Sequence, residues 1–260
     1  MLAVVCAMRQ ELRPIMAKMN VSGRHNVDGA MFYHADLNGL PLTLVQSGIG
    51  RNNAIKATNY LLNTLKINLL ITSGVAGGLR QGVNVGDLVI SENVGYSKQS
   101  DFEGEGLSLE SNYSCKEEYI QIARRLCSDL EMKHHFGNLL TVDKVISQAK
   151  TKKKIGEENA FLAVDMESAA VAEVAHERGI GFMAVRSISD DIEDNLQLDY
   201  DGIVSDEGKV RVSNIALQVM RSPQKLTHLK RLNKQTKTAA KNLSVFMLQF
   251  IPAIYDKMFD

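Results

Sequence analysis

No tryptophan occurs in the 260 residues, all aromatic types together make up 6%, and cysteine appears three times. Cys6, Cys115 and Cys127 are an odd number without metal-like spacing, so the expectation is reduced thiols rather than a disulfide framework. Excess charge is missing too: 30 basic residues balance 30 acidic ones. A general nucleic-acid binder needs surplus positive charge to meet phosphates, so a small ligand of low charge fits better. No stretch approaches the ~20 apolar residues that span a membrane. The first apolar run lacks a basic leader and is interrupted by Arg9 and Glu11, unlike a secretory signal. A cytoplasmic protein is expected. His134 and His135 are adjacent and would face opposite sides of a strand, and the other histidines lack ligand spacing. Neither a metal nor another cofactor is expected.

What is present is a chain 45% hydrophobic and 23% charged, ordinary for one globular core. Short apolar runs at 2–6, 68–72, 87–91, 139–142 and 182–188 read as strands, as do 31–37 and 42–46 around the hairpin signal Asn38-Gly39. Helical patterns over 9–19, 53–65, 117–130 and 166–178 separate them, the last stopped by Gly179. Strands alternating with helices imply a sheet covered on both faces, and the hairpin makes that sheet mixed. The expected fold is a single-domain, three-layer α/β/α arrangement over 1–260. A catalytic core takes 1–206 and a helical C-terminal part 207–260. In that part Leu226, Leu229, Leu243, Phe246, Met247, Phe250 and Ile251 recur at helical spacing among basic residues. This is an amphipathic helix or helix pair, for packing on the sheet or a subunit, or for a membrane surface.

Two glycine clusters follow strands: Ser47-Gly48-Ile49-Gly50 and Ser73-Gly74-Val75-Ala76-Gly77-Gly78. Glycines there let the backbone approach a ligand and leave amide N–H groups to donate. In α/β sheets the carboxyl ends of strands are where ligands bind. Neither cluster has the spacing of a dinucleotide or ATP loop. Acidic residues stand at the same strand ends: Glu11 beyond the first strand, Asp165 and Glu167 at a helix start, Asp190 beyond Met183-Ala184-Val185-Arg186.

These segments occur in one order: Ala7-Met8-Arg9-Gln10-Glu11, the two glycine clusters, Val164-Asp165-Met166-Glu167-Ser168-Ala169-Ala170, and Arg186-Ser187-Ile188-Ser189-Asp190. Together they resemble the nucleoside phosphorylase/nucleosidase superfamily over about residues 1–195. Within it, the pattern is similar to methylthioadenosine/S-adenosylhomocysteine nucleosidases. The Gly-Val-Ala-Gly-Gly form, the Val-Asp-Met-Glu-Ser run and the stretch from Asp201-Gly202 through Ser222-Pro223 look closer to the hopanoid-associated phosphorylase branch. The resemblance implies a nucleoside phosphorylase-like fold, a small-molecule nucleoside substrate and a homodimer or higher homo-oligomer.

It also implies roles. A purine leaves poorly as an anion, so an acid must protonate it while the ribose gains oxocarbenium character. Asp190 matches the acid, which needs a raised pKa that a dry pocket supplies. Glu11 matches the residue that activates water, the two-carboxylate logic of inverting glycosidases. Glu167 matches the ribose-hydroxyl anchor, Met166 a polarizable floor, and Arg186 a group orienting a carboxylate. Asp165, Ser189, Val75, Ala76, Gly77, Val145 and Ile49 match the remaining substrate-binding positions, and Asp143 reaches toward the base. Thr72 and Val75 stand where phosphorylases carry an Arg and a Ser, which favours water over phosphate. Arg51 and Arg80 keep phosphate open as the alternative second substrate. An adenosyl lipid, futalosine-type hydrolysis and non-catalytic nucleoside binding are the competing readings. His25 and His34 could serve a neighbouring subunit's pocket, or belong to the surface or core.

Overall fold

The computed structural model describes residues 1–98, 102, 106–196, 214, 218, 220, 222 and 224–259. Strand β1 (Leu2–Cys6) is buried at all five positions, as a strand covered on both faces must be. After α1 (Arg9–Met16) come β2 (Asn20–Val27), β3 (Ala30–Leu37) and β4 (Leu40–Gln46), an antiparallel meander. Asn38 and Gly39 join β3 to β4 with φ of 56° and 88°, the two positive values that a tight hairpin turn requires. Next are α2 (Arg51–Thr64), β5 (Leu69–Gly78), β6 (Leu88–Ser97), β7 (Ser111–Ser114) and α3 (Glu117–Asp129). The order closes with β8 (His134–Val142), α4 (Ala149–Glu158), β9 (Phe161–Asp165), α5 (Ser168–Glu177), β10 (Gly181–Asp190) and α6 (Gln224–Phe259).

The sheet is mixed, and β5 is its junction. Residues 69–72 of β5 pair in parallel with β1, while Gly77 and Gly78 pair antiparallel with β9. Its other edge pairs in parallel with β10. Because β10 also pairs with β6, β6 with β8, and β8 with β9, these five strands close into a ring. From β5 the sheet continues outward as β1, β4, β3 and β2. On one face α2 packs with α5; on the other α1 and α3 pack with α6, and α5 and α6 both cover β10. That is the three-layer arrangement.

The glycine run after residue 72 continues the strand that it was expected to follow. It is extended strand, continuous with β5 as far as Gly78. Its pairing with β10 and β9 carries it that far, and its glycines leave space: a Cβ on Gly74 would lie 2.5 Å from Arg186 Nη1 and 2.8 Å from Glu11 Oε1, and one on Gly77 would lie 3.0 Å from Asp190 Oδ2. Asp190 correspondingly ends β10 instead of following it, opposite Gly77. Strands β6 and β8 are longer than their apolar cores suggested, and α1 stops at Met16 to let β2 begin. Strand β2 was not expected because its sequence NVSGRHNV is largely solvent-facing.

The C-terminal segment is one helix of 36 residues over Gln224–Phe259. Leu243, Phe246, Met247, Phe250 and Ile251 on it are each 0% exposed, so this part of its apolar stripe is spent inside the molecule. Among the described residues no helix is long and apolar enough to cross a membrane. Asp201, Gly202, Pro223 and the expected boundary at 206/207 lie outside the described residues. Phe250 stacks on Phe246 at 5.0 Å between ring centroids. Phe250→Ala should therefore cost about 3–5 kcal/mol through lost burial and the cavity left behind, read as a lower midpoint in urea unfolding.

Candidate active site

Arg186 enters the interior from the middle of β10, 2% exposed. Its Nε donates to Asp165 Oδ2 at 2.6 Å, and its Nη2 donates to Ser168 Oγ at 2.7 Å and Thr72 Oγ1 at 3.0 Å. The other Asp165 oxygen accepts from Thr141 Oγ1 at 2.7 Å and from the Ser168 N–H at 3.3 Å. Thr141 Oγ1 in turn accepts the Ala169 N–H at 3.0 Å, closing the first turn of α5. A buried charge pair persists only when its remaining donors and acceptors are met, and here Arg186 Nε and Nη2 and both Asp165 oxygens have partners.

Two further carboxyl groups surround that pair. Glu11, in the first turn of α1, accepts from the Met8 N–H at 2.7 Å and from the Val75 N–H at 2.9 Å. The first contact completes the helix start, as an acid at this position commonly does. Burial raises the Glu11 pKa above the ordinary carboxylate range, against the Arg186 charge and the two backbone donors. Glu167 stands at the residue before α5, and its carboxyl accepts from the Gly50 N–H at 2.7 Å. Burial, then the neighbouring Asp165 charge, pushes its pKa up to about 8.

The third carboxyl stands apart. Asp190 Oδ1 accepts from Ser189 Oγ at 2.8 Å, and Oδ2 accepts from the ammonium of Lys152. Lys152 is 0% exposed and also donates to the carbonyls of Asp191 at 3.0 Å and Asp194 at 3.3 Å.

These groups border one cleft of about 220 Å³. Glu11, Ile49, Val75, Ala76, Gly77, Val145, Asp165, Met166, Glu167, Ser189 and Asp190 all line it. Arg186 does not. Its Nε and Nη2 are held by Asp165, Ser168 and Thr72, behind the cleft wall. Asp143 is also elsewhere, accepting from Tyr96 Oη at 3.0 Å. Arg51 is paired with Glu173, and Arg80 donates to the Asn159 carbonyl at 2.9 Å. His25 lies between Phe32, at 5.1 Å, and His34, at 5.7 Å between centroids.

The family model of the phosphorylase superfamily matches residues 1–221. The chain belongs to the phosphorylase superfamily. A 5′-methylthioadenosine/S-adenosylhomocysteine nucleosidase from Bacillus velezensis is 30% identical over 227 residues, covering 85% of this chain and 98% of that protein. The same-named protein of Actinobacillus succinogenes is 30% identical over 73% of this chain and 85% of its own. Among solved structures, the Neisseria meningitidis nucleosidase in complex with methylthio-immucillin-A superposes with a TM-score of 0.73 at 23% identity, covering 96% of this chain and 97% of that one. The Colwellia psychrerythraea nucleosidase with adenine gives 0.75 at 23% identity, covering 97% and 94%. These structures share the fold with this member of the superfamily.

Several residues of the site were not read from the sequence. Thr141, Leu196 and Thr236 carry no motif. Lys152 sits among Lys150, Lys153 and Lys154 and resembles a solvated charge run. Helical spacing could have found it, since it shares a buried face with Ala149, Ile155 and Gly156.

The raised Glu167 pKa has a consequence for stability. Between the ordinary carboxylate range and about 8 the folded state holds a proton that the unfolded state has released. Stability contributed by Glu167 is therefore present at low pH and lost as pH rises through that window. Glu167→Gln should remove this slope, so its stability relative to the unsubstituted chain improves between about pH 5 and about pH 8. Urea unfolding of both proteins at the two pH values checks this.

Proposed function

We propose that this chain hydrolyses the N-glycosidic bond of a purine nucleoside, of the 5′-substituted adenosine class, and releases the base. The observation that carries this reading is a pair of buried carboxyl groups, Glu11 and Asp190, lining one cleft from different strand ends. Asp190 protonates the leaving base, and Glu11 takes the proton of the attacking water. Glu167 holds ribose hydroxyls over the Met166 side chain, and Val145 and Ile49 supply apolar walls. Burial of Glu11 moves it toward the range in which a base both accepts and returns a proton.

Water is favoured over phosphate by what occupies the glycine strand. The Val75 N–H, a donor that a phosphate would use, is already held by the Glu11 carboxyl. Neither Arg51 nor Arg80 lines the cleft and the Arg186 Nε and Nη2 are taken, so that Lys144 is left as the cation on its wall. The names of the relatives, and the adenine and methylthio-immucillin-A in the solved structures, agree with an adenosine-type substrate. A cytoplasmic homo-oligomer with one catalytic domain over residues 1–260 belongs to the same reading.

The test is adenine release from methylthioadenosine and from adenosine, with and without phosphate, with chromatography of the sugar product. Adenine and free sugar are expected without phosphate. Strict phosphate dependence, with a ribose-1-phosphate product, would replace hydrolysis by phosphorolysis. Asp190→Asn and Glu11→Gln should each lower kcat by about 10²–10⁴-fold while adenine still binds in calorimetry. An Asp190→Asn variant of full activity would remove Asp190 from its role.

A further inference from the structure

A carboxylate accepting from an ammonium carries no proton of its own; the pair carries one, on nitrogen. That is the position of Asp190, whose Oδ2 receives the Lys152 ammonium. The acid that must protonate a base is therefore held in direct contact with a buried cation. We propose that Lys152 and Asp190 act as one acid, with the proton that reaches the leaving base starting on Lys152 Nζ. This deepens the hydrolase reading above and rests on it.

The surroundings suit both states of the pair. Nζ faces three acceptors: Asp190 Oδ2 and the carbonyls of Asp191 and Asp194, at 3.0 and 3.3 Å. When the N–H bond to Asp190 breaks and an O–H bond forms, two N–H groups remain for two carbonyls. The amine lone pair then faces the new carboxyl. As the glycosidic bond breaks, its electron pair goes to the base, and the O–H proton passes to the base nitrogen. Asp190 is left a carboxylate beside a neutral amine, and solvent returns a proton to the pair after the base departs. The proton released by the attacking water leaves by Glu11, so the cycle balances.

Lys144 also lines the cleft, while Asp194, Lys153 and His228 stand around the pair with contacts of their own. Asp194 is occupied by Arg231 at 2.7 Å and by Gln235 at 3.2 Å, and Lys153 pairs outward with Glu193 at 2.6 Å. His228, on α6, lies in the field of Asp190 and Asp194, but burial and Arg231 hold its pKa below the ordinary imidazole range. Lys152 is thus a positioning residue that also stores the proton, acting through Asp190.

The experiment compares pH profiles of methylthioadenosine hydrolysis for the unsubstituted protein, Lys152→Met and Lys152→Arg. Arginine keeps the positive charge but gives up no proton. Both variants should lose about 10²-fold or more in kcat on the alkaline side. They should recover toward acid pH, where Asp190 takes a proton from solvent, with KM little changed and adenine binding retained. A Lys152→Arg variant with the unsubstituted kcat and profile overturns the proposal, because charge alone then suffices. An equal loss at every pH also overturns it and leaves Lys152 structural. If Lys152→Met does not fold, Lys152→Arg decides. Failure of the unsubstituted protein to release adenine removes the hydrolase reading itself and this inference with it, an outcome distinct from the other two.

Discussion

The buried contact between Arg186 and Asp165 constrains the whole molecule. It joins β10 to β9, and through Thr141, Thr72 and Ser168 it reaches β8, β5 and the start of α5. Desolvating such charges costs several kcal/mol per ion unless geometry repays it, so five elements must meet with little tolerance. One guanidinium also faces three carboxyl groups. Asp165 is in direct contact, while Glu11 and Glu167 feel the same cation at longer range and remain burdened by burial. The polarity of the cleft floor follows from that imbalance.

The groups with proposed chemical roles also hold secondary structure together. Glu11 finishes the start of α1 and simultaneously binds the glycine strand through the Val75 N–H. Glu167, at the residue before α5, ties that helix start to Gly50 at the start of α2. The absence of side chains at Gly74 and Gly77 is what admits the Arg186 guanidinium and the Asp190 carboxylate so close to β5. Each polar group is oriented by secondary structure instead of by a mobile loop, which is how geometry is held before a ligand arrives.

Much of this was legible in the residues. The apolar runs marked β1, β5 and β10, and Asn38-Gly39 marked its hairpin, because burial and positive φ leave direct traces in residue type. The cleft residues were legible as ordered motifs, since glycine and acid at strand ends have few other uses. What stayed hidden depended on long-range packing. Asp28-Gly29 makes a second two-residue turn with positive φ, yet the polar strand before it concealed the hairpin. The extension of the glycine run as strand follows its pairing with β10, more than a hundred positions away. Thr236 reaches the cleft from α6, and no local pattern announces that.

Strand β10 lies between β5 and β6, parallel to one and antiparallel to the other, although both precede it by about ninety residues or more. A growing chain therefore makes a slot before it makes the strand that fills it. Pairings of such sequence separation are slow to form, because a long loop must close before any contact repays it. Until β10 inserts, Glu11 and the glycine strand exist without Arg186 or Asp190 beside them. The cleft therefore cannot be complete before β10 is made, and a chain that stops short of residue 190 lacks Asp190 and has no means of supplying it.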